Sequence, residues 1–245
     1  MIRIICFLLL LISLKATGQA VFIQSGSIEY ERSINILKQV EGTDYEKYVK
    51  EALSNMDRFN TQTFILYFDS TRSLYKPLTV ASAFEMSWIL GPAKENQVYK
   101  NYLLKSMQSQ KTVFEEKYLI KDSLSIIKWR ITDEKRMISG FDCRKAVGRI
   151  CDSVYITAFY TDEILVSGGP ESFDGLPGMI LGIAIPRLHT TWFAKKITKK
   201  IPTDGVFVFP SKGKKIDNSE LQLLLQQSLK NWGKEAQKNI WWTLL

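Results

Sequence analysis

Residues 168–185 read Gly-Gly-Pro-Glu-Ser-Phe-Asp-Gly-Leu-Pro-Gly-Met-Ile-Leu-Gly-Ile-Ala-Ile, and this stretch holds five of the 14 glycines and two of the 7 prolines. Glycine supplies positive φ and proline fixes φ near −65°. In Leu176-Pro177-Gly178-Met179 the two central residues are those a type II turn asks for. After it, Met179, Leu181, Ile183 and Ile185 alternate with Ile180, Gly182 and Ala184, a strand apolar on both faces. The unit predicts an ordered loop feeding a buried strand. It contains no nucleophile–base pair and no metal-ligand cluster.

Upstream of this unit the pattern is strand-like. Ile28, Tyr30, Ile34 and Ile36 alternate with Glu29, Glu31, Ser33 and Asn35, and Phe64, Leu66 and Phe68 lie in a strand apolar on both sides. A short strand around Leu74-Tyr75 ends at Pro77. Residues 44–56 carry a helical face of Tyr45, Tyr48, Val49, Ala52 and Met56. Residues 79–110, with Trp88, Leu90 and Gly91-Pro92, predict a long loop with one short strand at 97–103. Strands are then expected at 114–120, 127–131, 134–138, 141–147 and 150–160. Downstream, 190–198 and 206–209 predict late strands, and 219–240 a single long helix. The fold class is α+β, mainly β. It is a single domain (19–245) on a large curved antiparallel sheet, with one short N-terminal helical region and one long C-terminal helix.

The first eighteen residues are set apart from that domain. Arg3, the apolar run 4–14 and the small residues Ala16-Thr17-Gly18 have the order of a secretory signal peptide, cleaved after Gly18 or Ala20. The run is too short to span a bilayer, which needs roughly 20 apolar residues. Removing it leaves Cys143 and Cys151 in a compartment that permits disulfides. A loop centred on Val147 would set the two cysteines opposite each other, whereas a turn at Gly148-Arg149 would not. A disulfide and two separate thiols both stand as readings.

The 245-residue chain carries a formal net charge of +8, or +6 without Arg3 and Lys15, and the excess is uneven. Residues 19–186 have 20 basic and 21 acidic side chains, and residues 187–245 have 11 and 4. The basic character thus belongs to the C-terminal quarter. It fits either a solvated lysine face or an anionic partner.

Several segments together are similar to one known family. Gly175-Leu176-Pro177-Gly178-Met179-Ile180-Leu181 resembles the signature of the GLPGLI family, also called the Porph_ging domain, with Met179 for the usual leucine. Ile138-Ser-Gly-Phe-Asp-Cys143-Arg-Lys145-Ala146 resembles its I-x-G-x-x-C-x-K-A segment. Ala158-Phe159-Tyr160-Thr161 resembles its A-W-Y-T. Trp129, Gly169-Pro170 before Phe173, Ser27-Ile28-Glu29-Tyr30 and Ser73-Leu74-Tyr75 fall in the same order. The resemblance implies an exported envelope protein of a Gram-negative bacterium. It brings no catalytic residues, and Cys151 lies outside its pattern.

The chemistry-bearing residues are few. His189 is the only histidine, which leaves little for a Ser-His-Asp site or a zinc site. The glycines do not follow a phosphate-loop spacing. No metal, cofactor or catalytic residue is expected. The carboxylates Glu171 and Asp174 flank Phe173, with Asp162-Glu163 upstream, and fit turn capping, acid–base work or a calcium ion. Lys145 is expected in an ion pair, with Asp174 as a candidate partner. The binding candidates are the motif loop residues Gly169, Pro170, Phe173, Asp174, Gly175, Leu176, Pro177 and Gly178. An apolar or peptide ligand on the concave sheet face, or an envelope protein partner, fits the aromatic content. Nucleic acid does not fit an exported protein. The C-terminal segment carries an apolar stripe (Leu221, Leu225, Leu229, Trp232, Ala236, Ile240), a lysine face (Lys230, Lys234, Lys238) and a Trp-rich end. It is expected either to dock on the sheet or to touch a membrane surface. The leading functional reading is a non-enzymatic binding, carrier or accessory protein of the periplasm or outer membrane. The alternative is a hydrolase using the loop carboxylates.

Overall fold

A computed structural model of the chain describes residues 22–54, 57–78, 92–151 and 153–245, without the side chains of Lys94 and Lys234. The leader and Met56, Trp88, Leu90 and Gly91 lie outside the described residues.

Strand β1 (Gly26–Asn35) alternates strictly between buried and half-buried positions, as its period-two pattern requires. It pairs along its full length with β2 (Phe59–Phe68). Asp69 then closes the turn into β3 (Arg72–Pro77) by accepting from the Thr71 and Arg72 amides at 2.8 and 3.0 Å. The meander continues through β4 (Gln97–Asn101), β5 (Ser106–Val113) and β6 (Glu116–Ser123). Residues 124–129 lead into β7 (Arg130–Ile138), β8 (Phe141–Ile150) and β9 (Val154–Thr161). The loop 162–178 feeds β10 (Met179–Ile185), and β11 (Thr190–Thr198) returns to pair with β1. A three-residue β12 (Lys214–Ile216) adds to β6 in parallel, so the sheet is mixed. The strand order is β12-β6-β5-β4-β3-β2-β1-β11-β10-β9-β8-β7.

Chain connectivity makes this sheet curl. Ten inter-strand spacings separate β6 from β7, about 48 Å if the sheet were flat. Yet only seven peptide steps join Ser123 to Arg130, a reach of at most about 27 Å. The two ends must approach, and 124–129 bridges them across an open half-barrel.

The inner face gathers one core. Ile28 and Tyr30 of β1, Phe64 of β2, Ala146 of β8, Ile183 of β10 and Trp192 of β11 belong to it, with Phe173 of the loop and Trp242 of the tail. Against β5 and β6 the C-terminal segment docks two helices, α3 (Asn218–Ser228) and α4 (Lys234–Thr243). Leu221, Leu225, Leu229 and Ile240 are buried there with Val113, Tyr118 and Ile120. Each such leucine contributes about 1.5–3 kcal/mol as an upper bound.

The structure corrects several expectations. The C-terminal helix is two helices, broken before Gly233, whose φ is +57°. The N-terminal helical region is also two short pieces, α1 (Ile36–Gln39) and α2 (Glu46–Ala52). The segment 127–131 is not a separate strand, 206–209 is not a strand, and β5 occupies part of the expected loop. The Pro177–Gly178 turn is not type II. The Gly178 amide donates to the Leu176 carbonyl at 2.8 Å, a three-residue turn, and Gly178 has φ +142°. Cys143 and Cys151 are not bonded to each other, because β8 runs unbroken from Phe141 to Ile150 and the turn comes after it. Eight residues of extended strand set their backbones about 26 Å apart, against the roughly 7 Å limit for a disulfide.

Candidate functional site

The loop 162–178 is anchored first at its base. Ile23 and Ile164 form a parallel bridge, with the Ile23 amide donating to Glu163 and the Leu165 amide to Ile23. It then turns into the half-barrel, and residues 168–174 are all buried. A buried loop must find partners for its backbone. Here some come from the loop's own carbonyls and others from side chains distant in sequence. Lys100 of β4 donates to the Phe173 carbonyl at 2.6 Å, Trp129 to the Asp174 carbonyl at 2.9 Å, and Tyr30 of β1 to the Ile180 carbonyl at 2.5 Å. The Ser172 amide donates to the main-chain oxygen of Leu245 at 3.1 Å, tying the loop to the tail. Phe173 meets Trp192 edge-on at 6.5 Å.

With the loop come two carboxylates, set among three buried cations of the sheet. Glu171 is fully buried, has φ +50°, and accepts from Asn96 at 2.9 Å. Asp174 Oδ2 lies 3.3 Å from the Lys100 ammonium in a buried ion pair. Arg32 of β1 donates to the Ala93 carbonyl at 2.6 Å and to Gln62 at 2.8 Å, with the Phe64 and Trp242 rings against its guanidinium. Lys111 of β5 donates to the Thr243 carbonyl at 2.8 Å. Burial dominates the ionisation of all five. It raises the Glu171 and Asp174 carboxyls and lowers Arg32 and Lys100, and it brings Lys111 down to about 8. Lys100 partly offsets the rise at Asp174, as Asn96 and Arg32 do at Glu171.

One edge of this set reaches solvent. A cleft of about 650 Å³ opens at the end of the sheet that carries the β2–β3 and β4–β5 turns. Asp174 and Tyr102 line it, Leu124, Ile126 and Leu165 give it an apolar mouth, and Gly175 sits on its wall. The Tyr102 hydroxyl is within 2.8 Å of Ser73 Oγ, and burial pushes its pKa up.

The motif-loop candidates therefore separate. Gly169, Pro170, Phe173, Leu176 and Gly178 are buried scaffold, Pro177 is exposed outside the cleft, and only Asp174 and Gly175 line it. Lys145 is in an ion pair, but with Glu134 at 2.8 Å, while Asp174 takes Lys100. His189 ends a short 3₁₀ turn, with its pKa lowered by burial and by Lys238. The concave face expected to receive a ligand is filled by the loop and by Trp242 and Leu245 of the tail. Among the described residues no His, Cys, Asp and Glu cluster suits a metal ion, and no helix is long and apolar enough to cross a membrane.

Arg32, Lys100 and Lys111 were not singled out from the sequence, although a signal existed. Arg32 continues the register of Ile28, Tyr30 and Ile34, so a charge occupies an inward position. Lys111 shares the inward side of β5 with Met107 and Val113.

Comparison with known proteins gives a consistent picture. Two solved structures of PNGF-II, in space groups P21 and C2, superpose with TM-scores of 0.51 and 0.50 at 16% identity. They cover 79% and 89% of this chain, but 31% and 33% of the PNGF-II chains. The chain spans about a third of the length of those proteins, and the likeness is one of fold. Among curated proteins none matches. The Porph_ging family, described as a protein of unknown function, matches residues 148–182, which run from β8 through β9 and the buried loop into β10. The resemblance to the Porph_ging family is thus borne out over residues 148–182 of this chain.

Proposed function

We propose that the protein is an exported cell-envelope binding protein whose ligand enters the cleft beside Asp174. One observation carries this reading. A carboxylate that is only 4% exposed, ion-paired with the Lys100 ammonium, meets an apolar-mouthed cleft of about 650 Å³. Such a volume and lining suit a small apolar molecule or a stretch of peptide that brings one hydrogen-bond donor. The Lys100 ammonium keeps Asp174 oriented, so the acceptor is preorganised. Native mass spectrometry of protein recovered from envelope extracts tests this. A retained molecule is expected on the wild type and should be lost in Ser125→Trp, which plugs the cleft, at unchanged melting temperature. Retention that survives the plug, or wild type carrying nothing from any extract, overturns the reading.

The hydrolase alternative now rests on Asp174 alone, since Glu171 has no exposed surface from which to meet a substrate. A carboxyl raised by burial and bordering a cleft is suited to general-acid work. If an activity is found, Asp174→Asn should retain most of it in a folded variant. A thousandfold loss there would count against the binding assignment.

Export rests on Arg3, the apolar run 4–14 and Ala16-Thr17-Gly18. N-terminal sequencing of envelope-fraction protein should begin at Gln19 or close to it. An intact Met1 on a soluble cytoplasmic product would refute it.

A further inference from the structure

The end of the half-barrel that carries the cleft also carries an unusual set of side chains. Strand register places five separate segments there. Gly26 pairs with Phe68, Arg72 with Asn101, Ser106 with Ser123, and Ser27 with Thr198, while Ile23 bridges Ile164. Residues 22–25, 102–105, 124–126, 165–167 and 199–201 therefore share one rim.

At that rim stand Phe22, Leu103, Leu104, Ile126, Leu165 and Ile201, all large, apolar and exposed. Leu103, Leu104, Ile126 and Ile201 are 73%, 75%, 93% and 74% exposed. Hairpin tips are ordinarily built from Gly, Asn, Asp, Ser and Pro. The tip between β4 and β5 instead presents two adjacent leucines, and it is a closed turn. Asn101 accepts from the Leu104 amide at 2.9 Å, Lys105 has φ +48°, and the Leu124 amide donates to the Lys105 carbonyl at 3.0 Å. The leucines are held outward by a fixed backbone, so their exposure is part of the folded state.

Charge at the rim selects among surfaces that would cover it. Exposed Lys105, Lys199 and Lys200 surround these tips. Of the carboxylates nearby, Asp69 and Asp204 are both taken by Arg72 and Asp122 accepts from Asn218, while Asp142 and Asp162 are exposed and Glu163 is half-buried. Lysines interleaved with apolar tips from several loops match the interface of a bilayer with anionic headgroups. There the tips enter the acyl boundary and the ammonium groups remain among the phosphates.

We infer that this rim, built from the Leu103-Leu104 hairpin tip, Ile126, Leu165 and Ile201 with Lys105, Lys199 and Lys200, docks the folded protein on an anionic lipid surface. The rim shares Lys105, Ile126 and Leu165 with the lining of the cleft, and the inference does not rest on what the cleft holds. It also differs from contact through the C-terminal helices, whose apolar residues Leu221, Leu225 and Ile240 are already buried.

Vesicle co-sedimentation tests it, with wild type and variants carrying identical N-termini. Wild type is expected to bind vesicles of phosphatidylcholine mixed with phosphatidylglycerol, bind phosphatidylcholine alone much less, and release with added salt. Leu103→Ser/Leu104→Ser should lower the partition coefficient at least about tenfold, as loss of two buried leucines implies. Lys199→Ala/Lys200→Ala should remove the preference for phosphatidylglycerol. All four positions are exposed, so melting temperatures should match wild type. Asp174→Asn, which alters the cleft and not the rim, should leave vesicle binding intact. Equal sedimentation of wild type and the leucine variant overturns the inference. So does an absence of vesicle binding by a protein that self-associates through these leucines in ultracentrifugation, which would assign the rim to a protein contact.

Discussion

At Gly178 a single hydrogen atom is required in place of a side chain. A Cβ there would lie 2.0 Å from the Thr161 carbonyl oxygen, a backbone atom fixed by pairing between β9 and β10, and φ is +142° besides. Gly178→Val is therefore predicted to cost at least the 1–3 kcal/mol, roughly, of a strained backbone, lowering Tm by about 2–4 °C for each kcal/mol. Pro177→Ala should cost much less, because alanine adopts the same φ. A Gly178→Val melt that coincides with wild type would contradict the close approach. Lys111 gives a prediction in pH. Its pKa falls from about 10.4 unfolded to about 8 folded, through burial. Between those values the unfolded chain binds more protons, so this group's contribution to stability rises with pH from 8 to about 10.4, and its burial cost is fully present below 8. Cys143, pushed up to about 12 by burial, acts in the opposite direction above about 8.5. The quantity to measure is therefore wild-type stability minus that of Lys111→Met, which should increase with pH over this window and is refuted by a flat difference. The need for glycine in the motif was legible in the sequence because Pro-Gly is a local signal. The partners that make Arg32 and Lys111 tolerable are the Ala93 and Thr243 carbonyls, 61 and 132 residues away, and no local pattern points to them.

The elements show the same division between local and distant causes. Strands with alternating apolar residues, such as β1 and β11, were legible within a residue or two at each end, because one face of each is core. Strand β5 was not, because its inward side reads Met107, Ser109, Lys111, Val113 and two of the four are polar. The C-terminal break escaped for a related reason, since the stripe keeps its step through Leu229, Trp232 and Ala236. Asn231 and Gly233 were the local sign. In the structure Trp232 turns outward onto Phe114, with ring centroids 5.4 Å apart, and α4 restarts toward the interior. The start of α3 is a full capping box between Asp217 and Glu220, and Asp217→Ala should cost about 1 kcal/mol. Deleting residues 231–245 is predicted to do far more. Trp242 and Leu245 belong to the principal core, and Thr243 supplies the carbonyl that Lys111 needs. Without it a buried ammonium loses its acceptor, and an unsatisfied buried donor costs about 1–3 kcal/mol, more when it is charged. The truncated protein should melt markedly earlier or aggregate, and wild-type stability after truncation would refute the docking.

Across the whole molecule, the curled sheet is closed from inside by three pieces of chain that come from far apart in sequence. The loop 162–178, the bridge 124–129 and the tail meet one another as well as the sheet. Ser172 bonds Leu245, Trp129 bonds the Asp174 carbonyl, and Trp192 lies 6.3 Å from Trp242. Beneath them Lys100 and Lys111 are satisfied only while the loop and the tail stay in place. Lifting one piece would strand a charge still enclosed by the others, so partial opening gains little entropy for a large electrostatic cost. This argues for cooperative unfolding in a chain longer than the roughly 150 residues below which two-state behaviour is usual. Tryptophan fluorescence reports the inner filling through Trp129, Trp192 and Trp242, and far-UV circular dichroism reports the sheet. The two are predicted to melt at one midpoint, and Lys100→Met, which removes the Asp174 partner, should move both together. A fluorescence transition that precedes the loss of β signal would mean that the filling leaves an intact sheet. The buried charges would then not lock the half-barrel shut, and the interior would be open to a ligand.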